Sequence, residues 1–320
     1  MITSKKENLT ILDIAELAHV GKSTVSRVIN HDKNVSEATR KKVMKIIDQY
    51  HFVPDQSARS LRGKDSKLIA ILCTRLDASS ENQAIHAILK QFNEYGFNSV
   101  VLETQFSIEI TKKTIYNLLK NNIDGFIIFA TGKEDYDFLK AIDKPFIMIG
   151  QKVSGFCSIC YDDYGAIEKI CALLYDRGKR NIAFLGVSEE DPTTGYLRKK
   201  AYLDFMERKQ LPSMAYICDF SYESSYQKMD DIRFRELDAI VCATDNIALG
   251  VKKYLYEQGH YNISVTGVGG KDIHKFIFPE IISANLNFYK SGALAADLIN
   301  KALDGEIPIE TITLTSDLIV

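Results

Sequence analysis

No apolar run in the sequence approaches the roughly 18 residues that a membrane-spanning helix requires, which argues against a helical membrane protein and against a membrane partner. The first residues, Met1-Ile2-Thr3-Ser4-Lys5-Lys6-Glu7, lead straight into a helical pattern. They offer neither an apolar segment nor a small-residue cleavage site, so no export signal is read there and a cytoplasmic location is expected. Metal-binding cysteine pairs are also lacking. Cys157-Ser158-Ile159-Cys160 is formally C-x-x-C, but no second pair completes a zinc site, and the stretch reads as strand. Cys73, Cys171, Cys218 and Cys242 sit inside apolar segments, where thiols act as small core side chains. A nucleotide loop is missing as well, since Gly267-Val268-Gly269-Gly270 is not a full G-x-G-x-x-G. None of the six histidines stands at a nucleophile or metal spacing from Cys or Asp. Neither an enzyme, nor a cofactor, nor a metal site is therefore expected.

What the chain does have is the composition of a soluble globular protein, 46% hydrophobic and 26% charged, over 320 residues that suit two or three domains. Its charge is unevenly distributed. Residues 1–63 carry eleven Lys and Arg against seven Asp and Glu, a surplus of +4, which leaves −6 on the remainder of a chain whose net charge is −2. A basic head on an acidic body directs a phosphate-binding surface one way.

The head has a matching motif. Ile11-Leu12-Asp13-Ile14-Ala15-Glu16-Leu17-Ala18 has helical apolar spacing, with Thr10 as cap and Asp13 near the positive end of the dipole. His19-Val20-Gly21 reads as a tight turn in which Gly21 can take a left-handed conformation. Lys22 to Asn30 is a second short helix. Val20, Val25 and Val28 fill a shared core, Ala15 allows a close helix crossing, and Lys22, Ser23, Thr24, Ser26 and Arg27 face outward. A third helix starts at Ser36 and ends before Pro54, which pushes Val53 out of the helical region. This is a helix-turn-helix pattern, with double-stranded DNA as the expected partner. Asp55 to Gly63 is a potential short helix carrying Arg59, Arg62 and a single large apolar side chain, Leu61. It is too short to be stable alone, and a leucine between arginines suits a minor-groove wedge that kinks DNA.

From Thr10 to Gly63, the segments Asp13-Ile14-Ala15, Val20 to Asn30 and Pro54 to Leu61 resemble the LacI/GalR repressor family. The resemblance implies a homodimer on a pseudo-palindromic operator, with the second helix in the major groove. Lys22, Ser23, Thr24, Arg27 and Asn30 are then the candidate DNA contacts, joined by Ser57 and Leu61 of the hinge.

Behind the head, strand-like runs alternate with helical patterns. Strands are expected at Lys67 to Leu72, Asn98 to Glu103, Gly125 to Phe129, Pro145 to Ile149, Ile182 to Gly186, Ala215 to Cys218, Ala239 to Ala243 and Ile263 to Val268. Such repetition means doubly wound parallel sheets, and roughly 250 residues of it are too many for one ordinary sheet domain, so two lobes are expected. The family resemblance implies the same architecture, that of a periplasmic binding protein. An all-α headpiece (1–54) would precede a hinge (55–64) and an α/β core (65–320). The resemblance also implies crossings between lobes near Asp162, Asn287 and Pro308, giving an N-lobe of about 65–162 and 288–307 and a C-lobe of about 163–287 and 308–320.

Ligands of such sheets meet the loops at the carboxyl ends of strands. The loop after the first strand offers Arg75, Asp77, hydroxyls and the helix start at Glu81. Asp191, Thr193, Thr194 and Arg198 follow the strand ending at Gly186, and Asp245 and Asn246 follow the one ending at Ala243. Arginine, acid and hydroxyl groups beside helix N-termini suit a polyol or a phosphate. Thr74 to Asp77, Ser80 to Asn82, Glu103 to Ser107, Cys160 to Asp163, Thr193 to Gly195 with Arg198, Cys242 to Asp245 and Tyr254 to Gln258 resemble the trehalose-responsive branch of the family. That resemblance implies trehalose 6-phosphate as inducer, with trehalose as a competitor. Its implied pocket is Arg75, Glu81, Asp191, Thr193, Thr194, Arg198, Asn246 and Phe288. Two positions depart from the branch: Gln151 stands where arginine is expected, and Phe288 where tyrosine is. The loop Gly269-Gly270-Lys271 also lacks the sugar-gripping acid of many relatives, which favours an anionic ligand. A repressor of the same family answering a different sugar is the alternative.

Overall fold

The computed structural model describes residues 9–29, 32–50, 52, 67–130, 132, 135–270, 272–306 and 309–320, with the backbone alone at 272 and 273. The chain divides into two units, Met1–Ser66 and Lys67–Val320. Asn30, Ser57 and Leu61, and with them the hinge, lie outside the described residues.

Among the described residues, the first unit holds three helices, α1 (Ile11–Leu17), α2 (Lys22–Ile29) and α3 (Glu37–Tyr50). Thr10 and Asp13 form a reciprocal capping box at the start of α1, each side chain bonding the other's backbone. Apolar side chains at helical spacing, Ile14, Ala15, Ala18, Val25, Val28 and Val43, are joined by Phe52 in a core of their own. The left-handed residue in the turn is His19, at φ 47°, while Gly21 keeps a negative-φ backbone. The turn therefore differs from the expectation: the helix ends one step earlier, and Gly21 only opens α2, its carbonyl accepting from the Thr24 and Val25 amides.

Among its described residues, the second unit contains two six-stranded sheets. Its elements are, in order, β1 (Leu68–Cys73), α4 (Ser79–Tyr95), β2 (Asn98–Glu103), α5 (Ile108–Leu119), β3 (Gly125–Phe129), β4 (Phe146–Gly150), β5 (Cys157–Tyr161) and α6 (Asp163–Asp176). There follow β6 (Ile182–Gly186), a wide turn at Pro192–Leu197, α7 (Arg198–Arg208), β7 (Met214–Ile217), α8 (Tyr222–Lys228), β8 (Ala239–Cys242) and α9 (Asp245–Glu257). The chain ends with β9 (Ser264–Val268), α10 (Asp272–Ile277), β10 (Ile282–Asn285), α11 (Phe288–Leu303), β11 (Thr311–Leu314) and β12 (Asp317–Ile319). The strand orders are β11-β5-β4-β3-β1-β2 and β12-β10-β9-β8-β6-β7. All neighbours are parallel except β12, which runs antiparallel to β10.

Unbroken apolar strands bury both faces, as parallel sheets require. In β1, alternate residues point to opposite sides. Ile69 and Ile71 join Ile127, Ile147, Ala295 and Ile299 in one core. Ala70 and Leu72 join Phe126, Ile128, Met148 and Ile115 in another. The N-lobe is closed by α11, which packs on α4. A Cβ at Gly292 would lie 2.0 Å from the Ala84 carbonyl, so only glycine permits that approach.

The chain passes between lobes three times. It leaves the first sheet after Tyr161, returns after Asn285 to form α11, and crosses again between β11 and β12, at Thr315 and Ser316. The last crossing corrects the expected one near Pro308, and with it the assignment of 308–320 to the C-lobe. β11 is paired with β5, Thr311 opposite Ser158, so it belongs to the N-lobe. Its pattern, two exposed threonines around a half-buried isoleucine, lacks the apolar run that marks the inner strands.

Candidate nucleic-acid interface and effector cleft

On α2 the buried positions are Val25, Ser26 and Val28, which turns Lys22, Ser23 and Arg27 fully outward and leaves Thr24 half-buried. Ser26 thus faces the helix core and not the outer face expected from the sequence. Arg27 stands 4.0 Å from Asp32 with most of its side chain exposed. An exposed lysine, serine and arginine at the start of a helix have the donors and acceptors that base edges and phosphates need.

In the core, each of the three crossings follows the carboxyl end of a strand, β5, β10 or β11. The carboxyl edges of the two sheets therefore face one another across a cleft, and the loops expected to hold a ligand line it. On the N-lobe side, Glu81 is buried and accepts from the Thr74 amide at 2.7 Å and from the Thr74 hydroxyl. Burial pushes its carboxyl up, against the lowering effect of the Thr74 bonds. Glu81 thereby shapes the loop that presents Arg75. The Arg75 guanidinium pairs with exposed Asp77 at 3.2 Å and lies 6.0 Å from the Phe106 ring and 5.4 Å from the Phe220 ring. Gln151 donates its side-chain N–H to the Gly132 carbonyl at 2.8 Å.

On the C-lobe side the charges turn inward. Arg198 is buried, donating from Nε to Asp163 at 2.8 Å and from a terminal nitrogen to the Ala243 carbonyl. Burial pushes the Asp163 carboxyl up and the Arg198 guanidinium beside it opposes that rise. Asp191 caps the wide turn, accepting from the amides of Thr193 at 3.0 Å and Thr194 at 2.7 Å and from the Thr193 hydroxyl at 3.1 Å. Asp245 is 2% exposed and accepts from Ser283 Oγ at 2.7 Å, with His274 Nδ1 at 3.6 Å. Gly269, at φ +155°, closes over it: a Cβ there would lie 2.7 Å from an Asp245 carboxylate oxygen. Asp245 is therefore tied into the loop it opens, beside the carboxyl end of β8. Phe288 is likewise buried, edge-on to Tyr161 at 4.8 Å, and the Tyr161 hydroxyl bonds Ser291 at 2.7 Å. Thr193, Thr194 and Asn246 remain half-buried at the carboxyl ends of β6 and β8.

A cavity of about 480 Å³ opens at the carboxyl ends of β6 and β7, lined among others by Ser188, Cys218, Asp219, Phe220 and Lys228. It contains none of the effector residues expected from the sequence. The thiols offer no nucleophile: burial pushes Cys73 up to about 12 and Cys160 up to about 11.

Sequence comparison gives this geometry its family. The profile "Bacterial regulatory proteins, lacI family" matches residues 10–55, and that of the periplasmic binding protein-like domain matches 171–320. The HTH-type transcriptional regulator TreR of Salmonella typhimurium is 37% identical over 98% of this chain and 99% of its own length. The chain belongs to the LacI family. It is a helix-turn-helix, DNA-binding transcriptional regulator and not an enzyme.

Among other relatives of this LacI-family regulator, TreR of Escherichia coli is 38% identical over 91% of the chain and 92% of its own length. The solved trehalose repressor from Escherichia coli superposes with a TM-score of 0.77 at 33% identity, covering 80% of this chain and all of that one. The lac repressor dimer bound to operator superposes at 0.82 over 98% of both chains and, at 24% identity, speaks for the fold alone. No helix among the described residues is long and apolar enough to cross a membrane.

Sequence reasoning missed two kinds of residue in the cleft. Asp163 and Ser283, the buried partners of Arg198 and Asp245, look in the sequence like a helix-start acid and an ordinary strand serine. Phe106 and Phe220 sit in polar loops, where an aromatic flanked by Gln, Ser and Asp was the available signal.

Proposed function

We propose that this regulator is a homodimeric repressor of trehalose uptake and utilisation genes, released from its operator DNA by trehalose 6-phosphate. The observation that carries the proposal is the near full-length likeness to trehalose repressors. The chemistry of the cleft supports it. Arg75 presents a cation flanked by aromatic rings at the N-lobe edge, suited to an anionic sugar. Thr193, Thr194, Asn246 and Gln151 supply hydroxyls and amides for a polyol. Glu81, Asp191, Arg198, Asp245 and Phe288 hold the loops in shape around them, and Asp77 tethers Arg75. On the DNA side, Lys22, Ser23, Thr24, Arg27 and Asn30 read and grip the major groove, while Ser57 and Leu61 act in the hinge.

The coupling is a linkage. Ligand in the cleft stabilises one arrangement of the lobes, and in a dimer that arrangement separates the two hinges, so Leu61 no longer wedges the minor groove. Operator DNA must then weaken ligand binding by the same factor. Leu61→Ala is expected to lower operator affinity in a shift assay while leaving ligand binding to DNA-free protein unchanged, and unaltered operator affinity would refute the hinge role.

The deciding experiment is calorimetric titration of the DNA-free protein with trehalose 6-phosphate, trehalose and glucose 6-phosphate. Preference for trehalose 6-phosphate is the expected result. No heat with any of the three rejects the trehalose reading and leaves a repressor answering another sugar. Gln151 favours that second reading, since its amide is engaged by the Gly132 carbonyl where the branch leads one to expect a cation.

A further inference from the structure

The crossings and the aromatic stack stand at opposite ends of the molecule's cleft. All three crossings follow β5, β10 and β11, at one end of both strand orders, whereas Phe106 follows β2 and Phe220 follows β7, the strands at the other end. The two rings belong to different lobes and face each other nearly parallel, with centroids 6.4 Å apart and planes inclined by 19°. The Arg75 guanidinium lies against both. With strands spaced about 4.8 Å apart, the stack lies roughly 24 Å from the crossings, and a lobe rotation of about 10° would part the rings by roughly 4 Å.

The backbone that carries Phe106 is unusual. Gln105 and Phe106 are consecutive non-glycine residues in the left-handed region, at φ 53° and 58°. A bulky residue rarely adopts this conformation and keeps it only where its surroundings over-determine it. Here they do. The Gln105 amide donates to the Thr74 carbonyl at 3.0 Å, the Thr104 amide to the Cys73 carbonyl at 2.8 Å, and Ser107 caps α5 by accepting from the Ile110 amide at 3.2 Å. So held, Phe106 is not turned into either core. It remains 43% exposed, directed across the cleft. Core packing does not explain such a strained, pinned and outward aromatic.

We propose that Phe106 and Phe220 form a gate at the mouth of the cleft, which must unstack before effector can enter or leave. The gate presupposes that the cleft is where the effector sits, as proposed above. Because the stack forms only when the lobes are close, and holds them shut whether or not ligand is inside, it governs exchange rates more than affinity. Loss of the ring pair with its overlying cation should speed opening by about tenfold, equivalent to about 1.4 kcal/mol.

The chain has no tryptophan, so Phe220→Trp preserves an aromatic stack and installs a sole indole reporter. In the full-length protein carrying Phe220→Trp, Phe106→Ala is expected to increase acrylamide quenching and shift the emission to the red, with no ligand present. Phe106→Tyr, which retains a ring, should leave both unchanged. Stopped-flow mixing of the same proteins with trehalose 6-phosphate should show association and dissociation both about tenfold faster in Phe106→Ala, with Kd little altered. Identical quenching in Phe106→Ala and its parent overturns the gate, whatever the ligand. A lower affinity with unchanged association also overturns it, since Phe106 would then be an ordinary wall of the pocket. Absence of any trehalose 6-phosphate signal, with quenching changed as expected, leaves the aromatic contact standing and discards its role for that ligand.

Discussion

The two lobes are built on the same strand–helix alternation, yet they treat the charges at their carboxyl edges in opposite ways. The N-lobe leaves its cation at the surface: Arg75 is held by an exposed aspartate and two aromatic rings. The C-lobe draws its charges inside, Arg198 onto Asp163 and Asp245 onto Ser283, and offers the cleft threonines and amide groups. A charge that faces solvent can exchange water for ligand, whereas a buried pair can only be kept or broken. The N-lobe is accordingly suited to recognising an anion, and the C-lobe to being a rigid surface against which a sugar is laid.

If that contrast is right, a charge removed from each lobe should fail differently. The largest effect is expected from Arg198→Ala, which leaves Asp163 buried without its partner and should destabilise the core by about 3–5 kcal/mol, read as a fall in denaturation midpoint. A variant with wild-type stability would mean that water or another cation takes over at Asp163. Arg75→Ala should leave stability alone and weaken trehalose 6-phosphate binding by about 10- to 100-fold, the usual worth of a charge-assisted hydrogen bond. Calorimetry giving wild-type affinity would move phosphate recognition elsewhere. Ser283→Ala removes a donor from a buried carboxylate and should lower stability by about 1–2 kcal/mol, with any loss of ligand affinity following from loop disorder.

The smallest effect concerns pH. Because burial raises the Glu81 carboxyl above its ordinary 4.5, the folded state holds that proton more tightly than the unfolded state. Its stabilising contribution is therefore present below the unfolded value and lost as pH rises through the folded one. The melting temperature of Glu81→Gln, relative to wild type, should rise with pH just above 4.5 and then level off; a pH-independent difference would place Glu81 in a solvated setting.

Much of this contrast was legible in the sequence only as a set of residue types. The strands were readable because runs such as Leu68–Cys73 and Gly125–Phe129 are apolar throughout, and the caps because Thr10 and Asp13 interact at short range. Whether Arg75 or Arg198 is buried was not readable. Both follow a strand and stand near a helix start, and what separates them is a partner 35 residues away, Asp163, brought in by the folding of another element. The last two strands escaped notice for a related reason. At four and three residues, with Thr311 and Thr313 alternating in one and Asp317 opening the other, β11 and β12 take their structure from the neighbours they join.

That late joining has a bearing on how the molecule is made. The buried side chains of the headpiece core lie between residues 14 and 52. The N-lobe, by contrast, is completed by α11 and β11, so its sheet waits until residues 311–314 have emerged to meet Ser158 to Tyr161. At 5–20 residues per second, a ribosome needs roughly 10–50 s to add the intervening 250 or so residues. During that interval a nascent chain carries a headpiece with its own core ahead of a sensor whose first sheet still lacks its edge strand, so the two units mature at different times.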